Sequence, residues 1–376
     1  MKFKQLGFHE LVSKTPNIRG IPTNEYKSEG RYPVIDQGNK FIAGYSDNEN
    51  ALYKDTLPVV IFGDHTLSVK YLDFPFCVGA DGTQILKPNT DVIIGKFLYY
   101  AIINLNIQSL GYSRHFKVLK NSIFHVPEIE EQHRIVRILD LAQSLIEKRK
   151  QAIAYLDDYI KAVFLDMFGD PVSNPKGWEV GKIGDLVSEI NYGTSAKAGS
   201  IGKFPYLRMN NITYNGEFNL CDLKYIDLAE SDIDKYTVAK GDLLFNRTNS
   251  KELVGKTAVV NFETSMAFAG YLIRVRTNKK AIPEYISGYL NSKHGKTTLM
   301  HMCKSIVGMA NINAKELQKM RILIPSVETQ ELYKKIYHDM QSLKQKMQTQ
   351  LRELVSNFQV ELQRAFKGEE SFSDAA

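Results

Sequence analysis

The chain has 376 residues, 43% of them hydrophobic and 24% charged, and its 48 Lys and Arg against 42 Asp and Glu leave a formal net charge of +6. That balance excludes global disorder, and no window reaches the ~18–20 uninterrupted apolar residues of a membrane span. Cys77, Cys221 and Cys303 lie too far apart for a disulfide framework or a Cys-x-x-Cys metal knuckle. Met1–Gln5 lacks the apolar core of a signal peptide, so the expected compartment is the reducing cytoplasm.

The first segment, 1–127, carries 14 basic and 11 acidic side chains. Leu57–Phe62 reads as a short apolar strand and Leu98–Leu105 as a short helix, in an α+β globule of mixed short strands and turns. Polar loops between these elements hold Asp64-His65, Asp81-Gly82-Thr83-Gln84 and Ser113-Arg114-His115-Phe116-Lys117.

The second segment, 128–171, opens after Leu119–Pro127 with Gln132 five residues beyond the proline. No Pro or Gly interrupts residues 131–168, which predicts one long helix. Positions 139, 142, 146, 149, 153, 156, 160, 163 and 167 follow a 3-4 spacing, and only Arg149 among them is polar. Such a stripe predicts a coiled-coil seam, with Leu139, Ile146, Ile153, Leu156 and Ile160 along it. Asp157-Asp158 reads as solvated charge on the helix surface.

The third segment, 172–325, is the most basic, with 21 basic and 14 acidic side chains. It repeats the first loosely. Trp178–Val187 parallels Phe3–Val12, Phe204–Leu207 parallels Tyr32–Ile35, Gly241–Phe245 parallels the Leu57–Phe62 strand, and Pro283–Leu290 is again a short helix. Its loops hold Arg208, Asn210 and Asn211, then Asn246, Arg247, Asn249 and Lys251. The fourth segment, 326–376, repeats the second at an offset of 198: Leu317–Pro325, Gln330, then 329–366 without Pro or Gly. Met347, Leu351, Leu354 and Phe358 continue the seam there, with Lys344 and Glu361 as its polar steps. The long helices and their tail are slightly acidic, so the positive charge belongs to the two globules.

Catalytic signatures are missing. Gly255-Lys256-Thr257 and Gly295-Lys296-Thr297 lack the glycine a phosphate loop needs, since Ser250 and Leu290 stand there; each reads as a turn with a surface lysine. His115, His133, His294, His301 and His338 have no partner at metal-ligand spacing. There is no Pro-Pro dipeptide and no GxGxxG. Two basic globules on long helices suit a polyanion, with Lys and Arg supplying affinity and Arg, Asn, Asp and His at loop tips available for base edges.

These residues resemble the specificity subunits of type I restriction–modification systems. The resemblance rests on the duplicated apolar-Pro-x4-Gln entries at Val126–Gln132 and Ile324–Gln330, on Asn191-Tyr-Gly193-Thr194, Tyr206-Leu-Arg208 with Asn211-Ile212, Gly241–Arg247, and Pro283–Ile286 with Tyr289–Ser292. The first globule departs from it, having Leu57–Asp64 where a GDL-x3-Arg element is expected. The resemblance implies two target recognition domains, 1–127 and 172–325, each reading one half of a bipartite duplex site. It also implies long helices at 128–171 and 326–376 that pair antiparallel in a pseudo-twofold repeat, set the unread spacer and dock methyltransferase subunits, typically two. Asp64, His65, Arg114, His115, Lys117, Arg208, Asn210, Asn211, Asn246, Arg247, Asn249 and Lys251 are the candidate DNA-binding residues. No cofactor is expected on this chain; S-adenosylmethionine, ATP and Mg belong to the methyltransferase and restriction subunits. Two other readings stay open: a coiled-coil adaptor binding protein or membrane, and a self-contained DNA methyltransferase or nuclease.

Overall fold

The computed structural model describes residues 3–367 except 17, 110, 112, 307 and 308, and the backbone alone at 304–306 and 309. Residues 368–376, the tail of the fourth segment, lie outside the described residues. Contacts divide the chain into two compact units, one made of residues up to Lys150 and from Thr349 onward, the other of Gln151–Gln348. This division differs from four consecutive segments: each unit takes a part of both long helices.

The first unit runs β1 (Lys4–Gly7), α1 (Phe8–Leu11), β2 (Val12–Ser13), β3 (Tyr32–Ile35), β4 (Gly44–Ser46), β5 (Val59–Gly63), β6 (Val69–Leu72), β7 (Cys77–Val78), β8 (Thr83–Pro88), α2 (Gly95–Asn104), α3 (Phe116–Lys120) and β9 (Ile123–Val126), then enters α4 (Ile129–Phe168). Its main sheet has the order β2-β8-β5-β6, a second sheet β4-β3-β7, and β1 pairs with β9. β5 is apolar throughout because both of its faces are covered. Val60 and Phe62 join Leu86, Phe97 and Leu98 in the core beneath α2. Val59 and Ile61 face the other way, onto Ile35, Leu72 and Phe76.

The second unit runs β10 (Glu179–Lys182), β11 (Val187–Tyr192), β12 (Phe204–Leu207), β13 (Lys224–Ile226), α5 (Ile233–Tyr236), β14 (Thr237–Val238), β15 (Leu243–Asn246), β16 (Thr248–Asn249), β17 (Thr257–Val259), β18 (Met266–Phe268), β19 (Leu272–Thr277), α6 (Pro283–Asn291), α7 (Lys293–Met302), β20 (Lys304–Ile306), β21 (Met309–Asn311), α8 (Ala314–Lys319), β22 (Arg321–Ile324) and α9 (Val327–Lys367). Its main sheet, β11-β19-β15-β17, repeats the first unit's, and β10 pairs with β22 as β1 does with β9. β15 alternates in the same way: Leu243 and Phe245 face one core and Leu244 the other. The strand register fixes the correspondence, since Gly63 pairs with Thr83 and Asn246 with Leu272. Asp64 and Arg247 follow at the same step of the fold.

The duplicated Pro-x4-Gln element has a physical basis. Gln132 accepts the Ile94 N–H at 2.9 Å and donates to the Val92 and Pro127 carbonyls, both at 2.9 Å. Gln330 accepts the Ile282 N–H at 2.9 Å and donates to the carbonyls of Lys280 at 3.0 Å and Pro325 at 2.9 Å. Both side chains are fully buried. Each amide thus ties the entry of a long helix to the start of the short helix packed beside it, and satisfies backbone groups that burial would otherwise leave unpaired.

The predicted seam is covered. Leu139, Ile146 and Phe358 are buried, and Ile153, Leu156, Ile160, Met347, Leu351 and Leu354 are half-buried. In the first unit the early part of α4, at Ile135, Leu139 and Ile146, shares a core with Phe358, Leu362 and Phe366 late in α9. In the second, Asp157 meets Lys344, and Phe164 lies against Tyr333, 5.4 Å between centroids, so the helices run antiparallel. All three polar steps find partners: Arg149 donates to Gln350, Lys344 is buried between Asp157 and Glu217, and Glu361 pairs with Arg364 on its own helix at 3.1 Å. Burial pulls the Lys344 ammonium down, but the hydrogen bonds to the two carboxylates outweigh it and its pKa ends above the ordinary lysine value. Asp157 is therefore not plain solvated charge; Asp158, an exposed residue paired with the exposed Lys161, is. Among the described residues no helix is long and apolar enough to cross a membrane.

Candidate nucleic-acid interface

In the first unit the candidate residues gather where β5 ends, β8 begins and α3 starts. The Asp64 N–H donates to the Gly82 carbonyl at 2.9 Å. Its carboxylate accepts the Phe116 N–H at 2.8 Å, filling an orphan donor in the first turn of α3. His115 donates from its backbone N–H and from Nδ1 to the Asp64 carbonyl, both at 2.9 Å. Gln37 joins the remaining loops: it accepts the His65 N–H at 3.0 Å and donates to the Asp81 carbonyl at 2.8 Å. Gly82 has φ +89, and a Cβ there would meet the Gln37 amide at 2.7 Å, so this close approach needs glycine. His65 Nδ1 donates to the Ser113 carbonyl at 3.1 Å. Arg114 and Lys117 project from this scaffold, exposed.

In the second unit two loops are tied together. The first is the turn after β12, where Asn211 accepts the Arg208 N–H at 2.9 Å and donates to the Asn219 carbonyl at 2.8 Å. The Arg208 guanidinium is held by Asp222 at 2.8 Å. The second follows β15. The Asn246 carboxamide oxygen accepts the Thr248 N–H at 3.4 Å, and Lys256 reaches across to donate to the Met209 carbonyl at 2.8 Å. Arg247 lies over the Tyr192 ring, 4.9 Å from its centroid, and donates to Asn311 Oδ1 at 3.2 Å. Its Nε is buried with no hydrogen-bond partner among the described residues. Tyr192 is itself fixed, accepting the Ala314 N–H at 2.9 Å. Arg247 Nη1 donates to the Gly270 carbonyl at a long 3.4 Å, and a guanidinium stacked on a ring and held by such contacts loses little freedom on exchanging the long bond for a planar acceptor pair.

The twelve candidates thus divide by burial. Arg114, Lys117, Asn210 and Lys251 are exposed; His65, Arg208, Arg247 and Asn249 are half-buried. Asp64, His115, Asn211 and Asn246 are buried, and the bonds given above make them organisers of the loops rather than surface groups. Arg208, engaged by Asp222, shares that work. Sequence reasoning missed Gln37 and Asn311, which bridge loops from distant positions. It also took Lys256 and Lys296 for surface lysines. Lys256 is buried, and burial lowers its pKa. Lys296 is half-buried with its ammonium over the Tyr214 ring, 5.0 Å from the centroid, and burial, with the charge of Lys256 behind it, pushes its pKa down to about 8.

A family model for the type I restriction modification DNA specificity domain matches residues 11–155 and 175–356. The type I restriction enzyme EcoKI specificity subunit of Escherichia coli strain K12 is 24% identical over 270 residues, which is 65% of this chain and 58% of that protein. A putative type I restriction enzyme MjaX specificity subunit of Methanocaldococcus jannaschii is 31% identical over 174 residues, 45% of this chain and 40% of that one. The chain therefore spans little more than half of the first relative's length and two fifths of the second's. Among solved structures, a chain of a type I R-M system aligns at 15% identity with a TM-score of 0.57 over 97% of both chains. The type I restriction-modification S subunit of M. genitalium aligns at 15% identity with a TM-score of 0.56 over 97% of this chain and 96% of that one; these two likenesses are of fold. With its duplicated domain, its paired Gln-anchored helix entries and a family match running through both repeats, the chain belongs to the type I restriction modification DNA specificity domain family.

Proposed function

We propose that this chain is the DNA sequence-specificity subunit of a type I restriction–modification complex, with each unit's loop cluster reading one half of a bipartite duplex site. The observation that carries this reading is Arg247, held at a sheet end by Tyr192 and Asn311. A planar, five-donor side chain restrained in this way suits the O6 and N7 acceptors of guanine in the major groove. Asn249 and Lys251 beside it, and Asn210 on the turn tied in through Lys256, supply further polar reach. In the first unit, Arg114 and Lys117 stand on a scaffold organised by Asp64, His115 and Gln37.

On this reading the chain performs recognition alone. The long helices set the unread spacer and dock methyltransferase subunits, two per chain. Those partners and the restriction subunits carry S-adenosylmethionine, ATP and Mg, and the whole works in the cytoplasm. Genome-wide methylation mapping with and without the chain tests the reading: a bipartite motif that depends on the chain is expected. With Arg247→Ala, one position of one half-site becomes degenerate. A methylation pattern indifferent to the chain overturns the assignment, and a uniform loss over all sequences reassigns Arg247 to a phosphate.

A further inference from the structure

The second unit contains a cationic cleft beside the Arg247 loop that base reading does not use. Its cavity of about 360 Å³ is lined by Lys161 from α4, Lys251 and Glu252 from the loop after β16, Lys293 and Lys296 from α7, and Tyr214. Four lysines and one glutamate therefore line the cleft. Lys161 is paired at 3.1 Å with the exposed Asp158. Lys251 and Lys293 are exposed and make no ion pair among the described residues. Lys296 lies deepest. Its ammonium donates to the Gly255 carbonyl at 3.2 Å and rests on the Tyr214 ring, and among the described residues no carboxylate pairs with it. Gathering like charges in a partly desolvated recess costs free energy, and an anion in the recess removes that cost.

We propose that this cleft binds a backbone phosphate of the duplex whose bases the adjoining loop reads. Its purpose is to fix the register of the strand against Arg247. The inference rests on the DNA-reading proposal and extends it to the phosphate that positions the site. Lys251 joins the two features, since it stands just beyond β16, the short strand that follows Arg247, and lines the cleft. The reach of a lysine stem and the lack of a planar fork suit a point anion such as a phosphodiester rather than a base edge.

The test uses the full chain, co-purified with its methyltransferase partner, and a duplex probe whose retention is measured over a range of salt. Lys293→Gln, at an exposed position, and Lys296→Met, which keeps the apolar stem, are each expected to weaken binding about 5- to 10-fold at 0.1 M salt. The loss should be equal for matched and scrambled half-sites, and each substitution should lower the slope of log K against log salt by about 1. Methylphosphonate scanning sharpens the result: neutralising one backbone position should weaken wild type and leave a chain carrying both Lys293→Gln and Lys296→Met unaffected. Unchanged slope and affinity in Lys293→Gln and Lys296→Met, with Arg247→Ala still altering sequence preference, overturns the cleft and leaves the reading of bases standing. No salt-dependent duplex retention by the wild-type chain overturns both.

Discussion

The two units share a framework and differ at one informative step. Asp64 and Arg247 occupy the same place beyond the central strand. In each, the backbone N–H donates to the neighbouring strand, to Gly82 and to Tyr271, and the carbonyl accepts from the next segment, from His115 and from Ile312. The side chains then diverge. Asp64 turns inward and caps α3, whereas Arg247 lies on Tyr192 and is half-buried. Backbone position is therefore shared between the repeats while the side chain is not, and under the proposed function the first unit reads with other residues, Arg114 and Lys117 being the proposed ones.

The largest effect expected concerns what the units share. Gln132→Ala or Gln330→Ala takes the side-chain partner from three backbone groups that are buried or part-buried, and about 3 kcal/mol of destabilisation follows. Hydrogen exchange should find it concentrated in the unit that carries the change; loss spread evenly over both units would break the picture of two separately anchored folds. Next comes a difference between them: Lys344→Met strands two carboxylates and should cost about 2 kcal/mol, read as a lowered denaturant midpoint, while Ile146→Met, at the matching step of the first unit, should cost less than half of that. Smaller again, Arg247→Ala should cost about 1–2 kcal/mol of discrimination at one base position. Asp64→Ala should loosen the α3 turn without relaxing any position, and relaxed recognition there would erase the distinction drawn between the two residues.

The smallest effect is in pH dependence. The folded-state pKa of Lys296 lies below its unfolded value, at about 8. Above that pH the unfolded chain holds a proton that the folded chain has released, so stability attributable to this group rises with pH. Between pH 7 and 9 the rise should be about 1 kcal/mol, and Lys296→Met should remove it from the difference between the two proteins' unfolding curves.

Much of the architecture was legible because it is periodic or repeated. The uninterrupted runs ended at Phe168 and near Phe366, and helices fill them. The apolar strands at Leu57–Phe62 and Gly241–Phe245 read correctly because burial of both faces leaves no polar alternation to mislead. The paired glutamines were visible as a motif, though their job was not, since their partners lie about 40 to 50 residues away. The loops were less legible for a chemical reason: Asn, Asp and His that organise a turn are the same residue types that read a base. Nothing local separates Asn210, which is exposed, from Asn211, which bonds Arg208 and Asn219. Lys344 was noted as a polar step, but the Glu217 that completes its pairing is 127 positions distant.

That ion pair has a consequence for how the duplication can assemble. At the offset of 198, Lys344 corresponds to Ile146 and Asp157 to Val355. If two copies of the first half paired along their own helices in the same register, Asp157 would meet Ile146. Two copies of the second half would set Lys344 against Val355. Pairing of two first halves leaves Asp157 against hydrocarbon and pairing of two second halves leaves Lys344 with Glu217 alone, so only the union of unlike halves joins Asp157 to Lys344. One lysine in a long apolar stripe therefore makes the chain choose itself over its copies.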